Sequence, residues 1–196
     1  MADFFSHIKD KRPAFICYPA GGKESPDYTV EIDHLLKPGA SEEALQEFGS
    51  ELSGDHTEVL AFYKKHDGIE LYRQNEMPSI EFFELNQITE KNEEWREWFE
   101  MYEDEEMEEE LFEFQKYGTA FGEISCSGNY FIWHEGKVYY SSHDGEVEEP
   151  LANGFNEFIN LIAEDPASLM YKLGCYTRFS DGKTNIQWIP RKYISA

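Results

Sequence analysis

The chain has 196 residues, enough for one well-built core, and its 40% hydrophobic and 16% aromatic content excludes wholesale disorder. No apolar run approaches the ~20 residues of a membrane span, and the opening MADFFSHIKDKRPAF lacks the apolar stretch and cleavage site of a signal peptide. The net charge of -23 disfavours nucleic acid and anionic membranes, whose phosphates would repel it, and favours encounter with a strongly basic protein.

In chain order, Ala14 to Tyr18 reads as a short strand and Pro19 to Pro26, PAGGKESP, as a loop. That loop is no phosphate cradle: Cys17 stands where the motif needs glycine, and Glu24 replaces the Ser or Thr after Lys23. Tyr28 to Leu36 is a second candidate strand. Ser41 to Phe48 predicts a helix with Ser41 as N-cap, followed by a break over Gly49 to Asp55. A second helix is expected from His56 to Lys65, through Val59, Leu60 and Tyr63 with Phe62 flanking. His66-Asp67-Gly68 closes it, with Gly68 in a left-handed conformation. Ile69, Leu71 and Tyr72 then open a strand, and Ser79 to Leu85, SIEFFEL, forms another.

Glu90 to Glu113 stands apart in composition, with thirteen acids against Lys91 and Arg96, a local charge of -11. Trp95, Trp98, Phe99 and Tyr102 fall at i, i+3, i+4 and i+7, which predicts an aromatic helical face. Residues 103 to 110 form an acidic link towards Leu111, Phe112 and Phe114. Two main readings compete. A glutamate run can be a solvated helix face. Yet clustering like charges costs stability, and solubility alone does not require clustering, which points to docking of a basic partner. A calcium surface is a third reading, but the run lacks the glycine and alternating acids of a calcium loop.

Tyr117 to Ser127 supplies a further strand. Tyr130 to Trp133 and Lys137 to Tyr140 then read as a β-hairpin turning at Glu135-Gly136. This register sets Trp133 opposite Val138, Phe131 opposite Tyr140, and Ile132 opposite Tyr139. Leu151, Phe155, Phe158, Ile159 and Ile162 recur at helical spacing, with Asp165-Pro166 as the stop. Leu169 to Leu173 reads as a short helix, and a terminal hairpin pairs Cys175 to Phe179 with Thr184 to Ile189 across Ser180-Asp181-Gly182-Lys183.

Chemistry-bearing residues are sparse. His134, His143, Asp144, His66 and Asp67 fit no zinc spacing and read as exposed turn residues. Ser125-Cys126-Ser127 carries no nucleophile signature. Cys17, Cys126 and Cys175 read as free thiols in a reducing cytoplasm rather than a disulfide framework. The expectation is therefore a protein with no catalytic residue, metal or cofactor.

The order of these elements resembles the SUKH superfamily. The resemblance rests on FYKKHDGIEL (Phe62 to Leu71), on GNYFIWHEGKVYYSSHDGEVEEPLANGFNEFINLI (Gly128 to Ile162), and on the Glu164-Asp165-Pro166 stop, and spans roughly residues 41 to 166. It leaves residues 1–40, the acidic insert at about 90–113 and the extension at about 167–196 unexplained. The superfamily unites fungal regulators of cell-wall glucan synthesis and killer-toxin resistance with bacterial immunity proteins. The resemblance implies a single α+β domain, with helices packed on a mainly antiparallel sheet, and a non-enzymatic role. It also implies binding of a basic toxin domain, often a nuclease, or alternatively a regulatory scaffold in cell-wall synthesis. On the immunity reading the contact is expected at Glu103, Asp104, Glu105, Glu106, Glu108, Glu109 and Glu110. Trp95, Trp98 and Tyr102 are either anchors beside it or, the favoured reading, core residues.

Overall fold

The fold is given by a computed structural model, which describes residues 16–19, 28–29, 33–73, 78–100, 114–125, 127–142, 149–164, 169, 173, 178–180 and 185–188. The strands are β1 (Ile16–Pro19), β2 (Tyr28–Thr29), β3 (Asp33–Leu36), β4 (Ile69–Arg73), β5 (Ile80–Phe82), β6 (Thr119–Ile124), β7 (Asn129–His134), β8 (Lys137–Ser141), β9 (Arg178–Ser180) and β10 (Asn185–Trp188). The helices are α1 (Glu42–Glu51), α2 (Thr57–Tyr63), α3 (Leu85–Glu100) and α4 (Phe155–Glu164). The result is an α+β fold built on a six-stranded sheet in sequential order β3 to β8. A second, four-stranded sheet has the order β2-β1-β10-β9. The chain clusters into two compact units, one of residues 35–71 and 80–158, the other of residues 1–34, 72–79 and 159–196.

In the first unit the strands from β4 to β8 pair antiparallel with their neighbours. The hairpin has the register its aromatic pattern predicts: Phe131↔Tyr140, Ile132↔Tyr139 and Trp133↔Val138. Glu135 at φ 48° and Gly136 at φ 80° make the turn, which is why it needs a glycine at its second position. One face of the sheet carries a phenylalanine core. Phe62, Phe82, Phe121, Phe131, Phe155 and Phe158 are all buried, and ring centroids lie 4.8 Å apart for Phe131–Phe158 and 5.2 Å for both Phe62–Phe155 and Phe121–Phe155. Phe121 joins this cluster through an irregularity in β6, where the register shifts between Ala120 and Gly122 and the extra residue turns to the core.

Helix α3 contributes to the opposite face. Trp95 is buried there and donates from Nε1 to Ser141 Oγ at 3.0 Å. Asn92, also buried, holds β6 by accepting from the Ala120 amide at 2.8 Å and donating to the Ala120 carbonyl at 2.9 Å. Among the described residues no helix is long and apolar enough to cross a membrane.

Several boundaries differ from the sequence expectation. Helix α1 continues through Gly49 to Glu51, and Gly49 marks a close approach to α2 and not a break, since a Cβ there would stand 3.1 Å from Leu60 Cδ1. Phe62 is a core residue rather than a flank of α2. SIEFFEL is strand only over Ile80–Phe82, and Leu85 already begins α3. The helix starts early because Asp67 accepts from the Leu85 amide at 2.8 Å, a cap supplied from 18 residues away. Leu151 and Ala152 precede α4 and bridge to Val138 instead.

In the second unit β1 pairs with both β2 and β10, with Cys17 opposite Trp188. The terminal hairpin forms with Asn185 opposite Ser180. Tyr72, at φ 54°, donates from its hydroxyl to the Ile162 carbonyl at 2.8 Å.

Candidate functional site

Glu103, Asp104, Glu105, Glu106, Glu108, Glu109 and Glu110 lie outside the described residues, as do Cys126, His143 and Asp144. The side chains of Trp98 and Tyr102 do so too, whereas Trp95 belongs to the core. What the structure does describe is the stem from which the acidic segment departs and to which it returns. The outgoing side is α3 and the incoming side is a helical turn at 114–117. Trp95 meets Phe114 edge-on, with ring centroids 6.0 Å apart. Arg96 donates to the carbonyls of Gln115 and Gly118, both at 3.3 Å, and Gln115 Nε2 returns a bond to the Arg96 carbonyl at 3.4 Å. A buried aromatic contact and a guanidinium fork thus tie the two ends together.

Beside this stem opens a cleft of about 430 Å³. The end of α1 and the residues after it (Glu51, Leu52, Ser53), one side of α3 (Ile88, Thr89, Asn92, Glu93, Arg96) and the returning segment from the helical turn into β6 (Lys116, Tyr117, Gly118, Thr119) line it. Tyr117 is 49% exposed, the most exposed large hydrophobic side chain among the described residues. Lys116 Nζ lies 5.0 Å from its ring centroid.

A second charged feature emerges only from the strand register. Glu70 lies opposite Glu81, Glu81 opposite Glu123, and Glu123 opposite Tyr130. Three carboxylates therefore stand in line across β4, β5 and β6. Like charges directly opposite on neighbouring strands are destabilising, and the row is partly compensated by two lysines. Lys37 is 2.7 Å from Glu84 and 3.9 Å from Glu70. Lys91 of α3 is 2.8 Å from Glu94. Burial, then the neighbouring acids, push the carboxyls of Glu81 and Glu123 above their ordinary range, against the pull of Lys91 on both and of Lys37 on Glu81. Burial and Glu123 raise the Tyr130 hydroxyl. Burial alone would lower Lys91, but its bond to Glu94 and the nearby Glu123 hold it above its usual value.

His66, His134 and Asp67 have structural surroundings. Asp67 caps α3, and His66 Nδ1 lies 3.2 Å from the Lys37 carbonyl. His134 is not an exposed turn residue: its ring packs 5.4 Å from Phe114 and 6.2 Å from Tyr139, and its Nδ1 is buried. Among the described residues no group of three His, Cys, Asp or Glu side chains is placed to hold a metal ion. Sequence reasoning missed both the cleft and the carboxylate row. The cleft has no local signal, since its walls come from three separate stretches, whereas the alternation in Ile69-Glu70-Leu71 and Ile80-Glu81-Phe82 sets Glu70 and Glu81 each on the side of its own strand away from the apolar residues, a signal that needs the register to become a row.

Comparison with known proteins bears on this geometry. Residues 39–161 match the family model described as SMI1 / KNR4 family (SUKH-1). No curated protein matches the chain. The matched span covers α1 to most of α4 and includes the stem, the cleft and the carboxylate row.

Proposed function

Since the chain belongs to the SMI1 / KNR4 family (SUKH-1), we propose that it is a non-enzymatic, cytoplasmic immunity protein that neutralises a basic toxin domain by docking it on an acidic surface. The observation that carries this reading is the local charge of -11 over residues 90–113, in a segment whose two ends are tied by Trp95–Phe114 and Arg96–Gln115. A tied stem limits the conformational entropy that a binding segment loses on docking. A nuclease domain is the favoured class of toxin, because its active site must be basic to hold phosphates. A carboxylate-rich segment matches that charge, speeds encounter and covers the cleft where phosphates would bind.

The test has two parts. Proteins from the source organism are captured on the chain at about 50 mM and about 500 mM salt, conditions that differ in how far surface charges are screened. The retained protein is then expressed with and without the chain. A basic protein that is toxic alone, harmless with the chain and held less well at high salt supports the proposal. Retention of wall-synthesis or signalling proteins only, with no relief of any toxicity, moves the reading to a regulatory scaffold. Exchanging Glu105, Glu106, Glu108 and Glu109 for lysine weakens capture at least tenfold if the acidic segment is the contact. Unchanged capture by a folded variant places the contact elsewhere.

A further inference from the structure

Two residues other than glycine have positive φ among those described. Glu135 sits in a hairpin turn that requires it. Tyr72, at φ 54°, lies inside β4, where no turn does. A bulky side chain is disfavoured in this region and stays there only where its surroundings hold it. Three hydrogen bonds hold Tyr72. Its amide donates to His34 Nδ1 at 3.0 Å, its carbonyl accepts from Ser79 Oγ at 3.1 Å, and its hydroxyl donates to the Ile162 carbonyl at 2.8 Å. The His34 ring also meets the Tyr72 ring edge-on, with centroids 4.9 Å apart. The unusual conformation breaks the alternation of β4, so that Leu71 and Tyr72 are both buried. It brings the tyrosine to the end of α4. Ile162 is in the last turn of that helix, where carbonyls lack partners within the helix, and the Tyr72 hydroxyl supplies one.

We propose that His34 is a proton-sensitive latch: it keeps Tyr72 in its strained conformation while the imidazole is neutral, and releases it, with the cap on α4, when acid protonates the ring. The warrant is the valence of the ring. A neutral imidazole accepts through one nitrogen, so the bond from the Tyr72 amide puts the ring proton on Nε2. An imidazolium carries N–H on both nitrogens and accepts nothing, and its Nδ1–H would point at the Tyr72 N–H. Of the three bonds, this is the one that a change between pH 8 and pH 5 removes, because imidazole is the side chain whose charge ordinarily changes there. The charged and titratable groups on the adjoining elements are Asp33 on β3, Glu70 and Arg73 on β4, the Tyr72 hydroxyl itself, and Glu164 two residues after Ile162 on α4. These bias the pH at which the ring charges, but in either direction the charged ring cannot accept. The latch therefore stabilises at neutral pH, and its contribution is lost as pH falls. This inference is independent of the docking function proposed above.

The test follows the full-length, ¹⁵N-labelled chain by NMR from about pH 8 to about pH 5, the range in which an imidazole gains its proton. Two quantities are read together: the ring nitrogen resonances of His34, and the protection of backbone amides against exchange, corrected for the intrinsic effect of pH. The expected result is an unprotonated Nδ1 at pH 8. As the ring gains its proton, protection of the Tyr72 amide falls about fivefold, the loss of one net hydrogen bond, and protection of Ala163 and Glu164 falls with it. Amides of the β7–β8 hairpin keep theirs. Asparagine carries an acceptor close to the position of Nδ1 and gains no proton, so His34→Asn should keep Tyr72 protected at both pH values, whereas His34→Phe should lose protection at both. A proton on Nδ1 at pH 8 overturns the latch. So does a Tyr72 transition whose midpoint differs from that of the His34 ring, a comparison that needs no variant. An equal fall in His34→Asn, or no fall in the native chain, overturns it too.

Discussion

Glu81 is held in a position that its own chemistry disfavours. It faces Glu70 on one side and Glu123 on the other, and it is part-buried. Burial lifts the carboxyls of both Glu81 and Glu123 above the ordinary 4.5, helped by Glu70 and Glu84 at Glu81 and by Glu81 and Glu94 at Glu123. A raised folded-state value means that the folded chain binds these protons more tightly than the unfolded chain does. Their contribution to stability is therefore fully present below about 4.5 and is lost as pH rises through the raised values. At neutral pH the row is a net cost. Glu81→Gln and Glu123→Gln should each raise stability at pH 7 by up to about 1 kcal/mol, or about 2–4 °C in Tm. Near pH 4, where both carboxyls hold protons, the gain should vanish. Thermal unfolding at the two pH values checks this, and a gain of equal size at both would show that repulsion in the row is not its source. The cost has a physical reading. A row that is strained in the free protein has free energy to recover when a cation arrives, so the same residues that lower stability raise the benefit of a basic neighbour.

At the scale of elements, two helices of the first unit, α3 and α4, are held at their starts by carboxylates from distant positions. Ser41 caps α1 locally, as its sequence predicts, accepting from the Ala44 amide at 3.2 Å. The cap of α3 comes from Asp67, and α4 begins under Glu58, which accepts from the Asn156 amide at 2.9 Å and from its side-chain amide at 2.7 Å. Glu58→Ala removes both of these bonds and should cost about 1–2 kcal/mol. Urea unfolding measures it, and a loss below a few tenths of a kcal/mol would mean that water replaces the carboxylate without penalty. This division also decides what was legible. The hairpin of β7 and β8 could be read in register, because its strands, its turn and its facing pairs lie within thirteen consecutive residues. The start of α3 could not, because the aromatic residues of SIEFFEL favour a strand and the cap that ends it arrives from the other side of β4 and β5. The pairing of β1 with β10 was invisible for the same reason: Cys17 and Trp188 are brought together by the fold, with no pattern in either segment that names the other. The acidic segment was legible as composition alone, and the carboxylate row only as alternation within single strands.

For the molecule as a whole, the charge of -23 acts on stability and on binding with opposite salt dependence. Carboxylates repel one another within the folded chain more than in the expanded unfolded chain, so the compact state carries the larger self-repulsion. Screening relieves it: the Debye length falls from about 30 Å at 0.01 M salt to about 8 Å at 0.15 M. Tm should therefore rise with salt over this range, by about 2–4 °C if the relief is about 1 kcal/mol. Association with a basic partner should weaken over the same range, because screening removes the attraction that steers the encounter. The opposed signs make salt a clean probe. If capture of the partner is lost at high salt while Tm has risen, the loss is electrostatic and not the result of unfolding. If Tm falls with salt instead, the stability of the fold depends on compensating ion pairs such as Lys37–Glu84 and Lys91–Glu94 more than on relief of the carboxylates. In that case the acid excess is already balanced within the free protein, and a basic partner has little repulsion left to relieve.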